Sequence, residues 1–219
     1  FVREAKNRLD ANIWDYLTGA TETETTMRRN RMGIDSLAFR PRVLRDVSKI
    51  DSTHKVFGCD IRLPVLLAPV GGLESIAVGG NGAATAGPGA SAFNVPIMVS
   101  SVTQPGMDVT AAATPGLKIY QLYVRGDADA IEASIQAALA NGYDAFCLTV
   151  DTAIYSRRER DIARRFAKPW RATATNTGQM YQAALNWNDV ARIKARHPTL
   201  PLILKGIATA EDALIACQH

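Results

Sequence analysis

The chain has 219 residues, 47% of them hydrophobic and 21% charged, the composition of an ordinary globular protein long enough to bury a sizeable core. Its 25 Lys and Arg against 21 Asp and Glu leave a net charge of only +4, scattered apart from a cluster at Arg157–Arg165. That excess is too small to point to a nucleic-acid partner or a membrane surface, and no apolar run approaches the roughly 18 residues of a membrane span.

The chain opens at Phe1 without a methionine, so its N-terminus is expected to be trimmed or unobserved. Residues 1–62 read as a helical and loop extension: a short amphipathic helix at Asn12–Leu17, the turn Thr18-Gly19-Ala20, a polar stretch, then Arg40-Pro41-Arg42-Val43-Leu44. From residue 63 onward five short runs rich in branched or aromatic residues follow: Leu63–Pro69, Val95–Ser101, Leu117–Tyr123, Ala145–Asp151 and Pro201–Gly206. They are nearly continuous rather than alternating, as strands buried on both faces are. Helical patterns lie between them. Asp127–Asn141 carries a stripe of Ala130, Ile131, Ser134, Ile135, Ala138 and Leu139 that Asn141-Gly142 ends. Thr209–Gln218 opens on Thr209 and Asp212, a capping box with Asp standing for Glu. Gly87-Pro88-Gly89, between the first two runs, predicts a kink or an early helix end.

Strand and helix in repetition imply a parallel sheet with right-handed crossovers, either doubly wound or a (β/α)8 TIM barrel. A doubly wound sheet gathers its site at one crevice, whereas a barrel assembles it from the C-terminal ends of several strands. Here polar or special residues close every run: Pro69-Val70-Gly71, Ser100-Ser101, Gln121 and Tyr123, Thr149 and Asp151, and Lys205. The barrel is therefore the expected fold, with residues 63–219 forming its first five βα units in one domain with the extension. A closed barrel needs eight strands and about 250 residues. The chain stops after the fifth helix at His219, so a fragment of a larger protein is expected.

Few residues outside the strand ends invite chemistry. Gly79-Gly80-Asn81-Gly82 resembles a dinucleotide loop, but no strand runs into it and Thr85 stands where the third glycine belongs. His54, His197 and His219 fall at no strand's C-terminal end and read as surface residues. Cys59, Cys147 and Cys217 lie far apart without CxxC spacing, which suggests free thiols in a reducing, cytoplasmic setting and no zinc site. No nucleophile elbow, HExxH or P-loop occurs, and no metal is expected. At the strand ends, Gln121 and Thr149 offer amide and hydroxyl groups suited to a planar heterocycle, and Lys205 offers a cation to stabilise a developing anion. Each alone reads as a satisfied rim residue; their convergence carries the functional reading.

These residues also carry a family resemblance. Tyr16-Leu17-Thr18-Gly19-Ala20, Phe39–Leu44 with Asp46-Val47-Ser48, Ala68-Pro69, Gln121-Leu122-Tyr123, Thr149-Val150-Asp151-Thr152, Arg157-Arg158-Glu159 with Asp161, and Leu204-Lys205-Gly206 with Ala210–Ala213 occur in this order over essentially the whole chain. Together they resemble the flavin-dependent 2-hydroxy-acid oxidases and dehydrogenases: glycolate and lactate oxidases, mandelate dehydrogenase and the flavin domain of flavocytochrome b2. The resemblance implies a barrel binding FMN and hydride transfer from the α-carbon of an (S)-2-hydroxy acid to flavin, giving the 2-oxo acid. It implies that Pro69, Val70 and Gly71 line the flavin's reactive face, that Ser100, Gln121 and Thr149 bond the ring, and that Lys205 stabilises its reduced form. Tyr16, Tyr123 and Arg158 would hold substrate, arginine's planar fork suiting a carboxylate. Asp151 would pair with the base that takes the hydroxyl proton, making Asp151 and Tyr123 the catalytic candidates.

Departures from the pattern shape the remaining expectations. The family's HGGRQLD-like segment, with its catalytic histidine and second arginine, and its flavin-phosphate segments do not occur in these residues. The chain alone is thus expected neither to hold FMN tightly nor to turn over substrate. Val102 stands where glycolate oxidases carry tryptophan, less bulk that would admit a longer substrate side chain. Gly71 stands where many oxidases carry alanine, which leans the electron acceptor from oxygen toward a quinone or carrier protein. A homo-oligomer is expected of the full-length protein. The alternative to an enzyme is a truncated, inactive barrel serving as a binding or assembly module. Isomerisation of isopentenyl diphosphate, another FMN barrel reaction, does not call for the carboxylate-binding set of Tyr123 and Asp151–Arg158.

Overall fold

The computed structural model describes residues 1–154, 156–166 and 182–219. In chain order come helices α1 (Val2–Arg8), α2 (Ala11–Thr18) and α3 (Thr25–Asp35), then strands β1 (His54–Val56) and β2 (Cys59–Ile61). Alternation follows with α4 (Gly82–Phe93), β3 (Ile97–Ser100), α5 (Met107–Ala113), β4 (Lys118–Leu122), α6 (Ala128–Ala140) and β5 (Ala145–Thr149). The last described elements are α7 (Glu159–Ala163), α8 (Trp187–Arg196), β6 (Leu202–Lys205) and α9 (Ala210–Gln218). The chain divides into two compact units: Phe1–Asp51 with the described part of Tyr155–Ala172, and Ser52–Ile154 with the described part of Thr173–His219.

The larger unit is built on a parallel sheet in the order β3-β4-β5-β6. Every neighbour is the next strand in sequence, without the reversal of order that marks a doubly wound sheet. One face carries Met98, Ile119, Ala145, Cys147 and Ile203, packed with Leu66. The other carries Val99, Tyr120, Leu122, Phe146 and Leu148 against Ile131, Ile135 and Ala138 of α6 and Ile193 of α8. Phe146, Ile131, Ile135 and Leu148 are fully enclosed. Burial on this scale contributes about 1.5–3 kcal/mol for each large side chain, which anchors the sheet to its helices.

Local signals explain the helix ends. Asp127 caps α6 by accepting from the Ala130 N–H at 3.0 Å, and Gly142 follows it at φ +71. Thr209 caps α9 through the Asp212 N–H at 3.2 Å. The complete capping box lies at α8, between Asn186 and Asp189. Rather than ending early at Gly87-Pro88-Gly89, α4 continues through them to Phe93. Gly87 serves a contact instead: a Cβ there would lie 1.9 Å from Thr114 Oγ1.

Two further expectations are corrected. The first apolar run, Leu63–Pro69, forms a single parallel bridge at Leu67–Ile97 rather than a strand. Leu67 donates to Pro96 O and accepts from the Met98 N–H, both at 2.9 Å. Pro64 and Pro69 bracket that bridge and have no N–H to extend the ladder. The segment before it holds the hairpin β1–β2, turned at Phe57 (φ +49) and Gly58 (φ +81). His197 is not a surface residue either. Its side chain is 10% exposed, with Nε2 at 3.0 and 3.1 Å from the Glu132 carboxylate. His54 is exposed on β1, and the His219 ring stacks on Trp187 at 5.3 Å.

In the smaller unit α1, α2 and α3 contain no buried residue, and charged contacts tie its described elements together. Asp10 caps α2 through the Asn12 N–H at 2.8 Å. From α7, Arg160 pairs with Glu24 at 2.7 Å and Arg164 pairs with Asp15. No described helix is long and apolar enough to cross a membrane, and no group of three or more His, Cys, Asp or Glu among the described residues is arranged to hold a metal.

Candidate active site

The register of the sheet places the expected ring-binding residues together. Ser100 pairs with Gln121, Gln121 with Cys147, and Thr149, two residues beyond Cys147, with Lys205. Side chains two apart on a strand share a face, so Ser100, Gln121, Thr149 and Lys205 all project from the C-terminal ends on the Met98–Ile203 face. Ser100, Gln121 and Thr149 are buried, and the Gln121 Nε2 donates to Thr149 Oγ1 at 2.6 Å. Gln121 Oε1 is buried without a partner among the described residues. An enclosed amide oxygen left unpaired costs about 1–3 kcal/mol, a cost that a donor placed beside it would relieve.

Lys205 lies beside this pair. Its Nζ is 3.6 Å from Asp151 Oδ2 and 5.6 Å from the centre of the Tyr123 ring. The other carboxylate oxygen, Oδ1, accepts from Thr152 Oγ1 at 3.0 Å. Tyr123 is fixed from its backbone, which donates to Ser101 Oγ at 3.0 Å. Beneath them Cys147 is sealed in the sheet: burial pushes its thiol up to about 11, against the pull of the Lys205 charge.

Pro69, Val70 and Gly71 follow the Leu67 bridge in a loop fastened to the one after β3. Gly72 N–H donates to Val102 O at 2.9 Å, and Leu73 N–H to Thr103 Oγ1 at 3.1 Å. Glu74 Oε2 in turn accepts from Thr103 Oγ1 at 3.2 Å and from Gln104 N–H at 2.9 Å. Gly71 and Val102 touch so closely that a Cβ on Gly71 would fall 2.8 Å from Val102 Cγ2. Sequence reasoning missed Glu74 and Thr103 as supports of this loop. They lie 29 residues apart, and nothing in either segment announces the other.

Within the smaller unit, Tyr16 and Arg158 come together. Arg158 Nη2 donates to the carbonyls of Tyr16 and Gly19, each at 2.5 Å, and its guanidinium sits 4.6 Å from the centre of the Tyr16 ring. Asp161 approaches Arg158 at 3.9 Å, and the arginine side chain is 14% exposed. Arg158 is therefore engaged in shaping the turn after α2. Of the expected substrate set, Tyr16 and Arg158 belong to this unit and Tyr123 to the other.

Comparison with known proteins places the chain among relatives. The family description FMN-dependent dehydrogenase matches residues 5–219. Glycolate oxidase 1 of Zea mays is 35% identical over 235 aligned positions, which cover 98% of this chain and 63% of that relative. Glycolate oxidase of Spinacia oleracea is 34% identical with the same coverage. The crystal structure of mandelate oxidase with 3,3-difluoro-2-hydroxy-3-phenylpropionic acid superposes with a TM-score of 0.86 at 30% identity, covering 99% of this chain and 63% of that one. The chain thus spans a little under two thirds of the length of these relatives, and its sequential parallel strands are part of their α/β TIM barrel. With the match running from residue 5 to residue 219, the chain belongs to the FMN-dependent dehydrogenase family.

Proposed function

We propose that this chain supplies the flavin-ring face and part of the substrate site of an enzyme that oxidises an (S)-2-hydroxy acid to the 2-oxo acid, with FMN as cofactor. The observation that carries the reading is the unpaired, buried Gln121 Oε1, flanked by Thr149 and on the same face as Lys205. That donor and acceptor set fits a planar ring with alternating polar edges. Ser100, Gln121 and Thr149 would hold the ring edge, Pro69, Val70 and Gly71 would lie along its face, and Lys205 would hold negative charge on it. When bound, FMN supplies a two-electron acceptor for the substrate's α-hydrogen.

The chain's own residues do the rest. Tyr123 and the Tyr16–Arg158 pair would hold the substrate's hydroxyl and carboxylate, the guanidinium by a two-point bond. Asp151 would orient and stabilise the base that takes the hydroxyl proton. The HGGRQLD-like segment that would supply this base does not occur in the 219 residues. The flavin-phosphate segments do not occur in them either, so these residues alone would bind FMN weakly and would not turn over. The substrate class is supported by the glycolate and mandelate oxidases among the similar proteins. Gly71 leans the electron acceptor toward a quinone or carrier protein rather than oxygen. A cytoplasmic location and a homo-oligomeric full-length form complete the proposal.

Titrating the purified chain with FMN and following quenching of flavin fluorescence tests the reading. Saturable binding, weakened in Gln121→Leu and Lys205→Met, is expected, with no anaerobic bleaching by glycolate, lactate or mandelate. Absence of saturable binding overturns it in favour of an inactive binding or assembly module, and bleaching by any of these acids overturns the claim that the chain alone is incomplete.

A further inference from the structure

We propose that Gly206 is the positioning residue that keeps Asp151 against Lys205, coupling the carboxylate of the substrate site to the cation of the flavin-ring site; the inference rests on the function proposed above. A Cβ built on Gly206 would fall 2.4 Å from Asp151 Cβ and 2.6 Å from its Cγ. Neither is the far end of a flexible side chain, so the aspartate must move as a whole. The chain is anchored one residue earlier, where the Val150 N–H donates to Lys205 O at 2.9 Å, so relief comes from residue 151 itself tilting away from Gly206. That tilt carries with it the carboxylate, which stands 3.6 Å from Lys205 Nζ through Oδ2 and is held through Oδ1 by Thr152. Gly206 itself sits at φ +114, where a side chain is strained in any surroundings.

The pair has an electrostatic consequence. Asp151 partly neutralises Lys205, so pushing the carboxylate away strengthens the positive field at the ring site and favours negative charge there. The expected result for Gly206→Ala is a longer Asp151–Lys205 separation in its crystal structure and an upward shift in the midpoint potential of bound FMN. Asp151→Asn should raise the potential too, and Gly206→Ala should add nothing to it in the Asp151→Asn background. An unchanged separation, an unchanged potential or additive shifts overturn the proposal. Should the protein bind no FMN, the functional reading fails while the crystallographic separation still decides this one. Should Gly206→Ala not fold, the Asp151→Gly/Gly206→Ala protein, which lacks the colliding atoms, is expected to fold. Its failure would assign the effect to backbone strain alone and refute the coupling.

Discussion

The Gln121–Thr149 pair offers a test in which stability and binding are expected to move in opposite directions. Its 2.6 Å hydrogen bond is buried, and Thr149 is 0% exposed. In the protein alone that bond contributes about 1 kcal/mol, while the unpaired Gln121 Oε1 costs about 1–3 kcal/mol. Replacing both residues by apolar ones of similar shape, Gln121→Leu with Thr149→Val, removes the bond and the orphan together. The double variant should match the parent or exceed it by up to about 2 kcal/mol in urea denaturation at unchanged slope. Gln121→Leu alone strands the Thr149 hydroxyl, whose cost of about 1–3 kcal/mol cancels the gain and leaves stability near that of the parent. FMN binding should respond in the other direction. One lost ring hydrogen bond of about 1.4 kcal/mol is a tenfold rise in Kd, so the single variant should bind about tenfold more weakly and the double variant weaker still. A double variant that loses more than about 2 kcal/mol of stability while binding FMN like the parent would refute the assignment of this pair to a ligand.

Three further outcomes follow from the fold. Burial raises the Cys147 thiol from 9.0 to about 11, so the unfolded chain releases its proton first and stability should fall as pH rises through that window. Cys147→Ala should flatten the decline in denaturation measured between those pH values, and alkylation of the folded protein should reach the exposed Cys59 and Cys217 but spare Cys147. The Glu132 carboxyl is held below its ordinary 4.5 by the Gln136 amide and then by His197. Its contribution is present above 4.5 and lost as pH falls through the lower folded value, so the stability difference between parent and Glu132→Gln should shrink in acid; a constant difference across the titration would contradict the pairing. Gly87→Ala would gain about 0.5–1 kcal/mol in a free helix, but the collision with Thr114 Oγ1 at 1.9 Å reverses the sign at a cost of about 1–3 kcal/mol. A lowered urea midpoint, restored by Thr114→Ala, is expected, and an unchanged midpoint would count against the packing of α4 on Thr114.

What the sequence made legible was periodic and local. Branched, nearly unbroken runs marked β3 to β6, Asp127 and Thr209 marked helix starts, and polar residues at strand ends marked the face on which Gln121, Thr149 and Lys205 gather. What it hid depends on which residue stands opposite. Pro64 and Pro69 do not change the apolar character of their run, yet they deny it a ladder and leave one bridge. His197 gives no sign of Glu132, 65 residues earlier in the chain. Glycines mislead most, because a local reading treats them as breakers. Gly87 lies inside an intact helix to admit Thr114, and Gly206 follows a strand to admit Asp151. The same limit applies to Gln121: its residue type announced polarity, but only its placed neighbours show that one amide atom is satisfied and the other is not. A closed fold gains nothing from an enclosed acceptor without a donor. Its presence beside Thr149, on the face that also carries Lys205, is therefore the feature on which the proposed ring site rests.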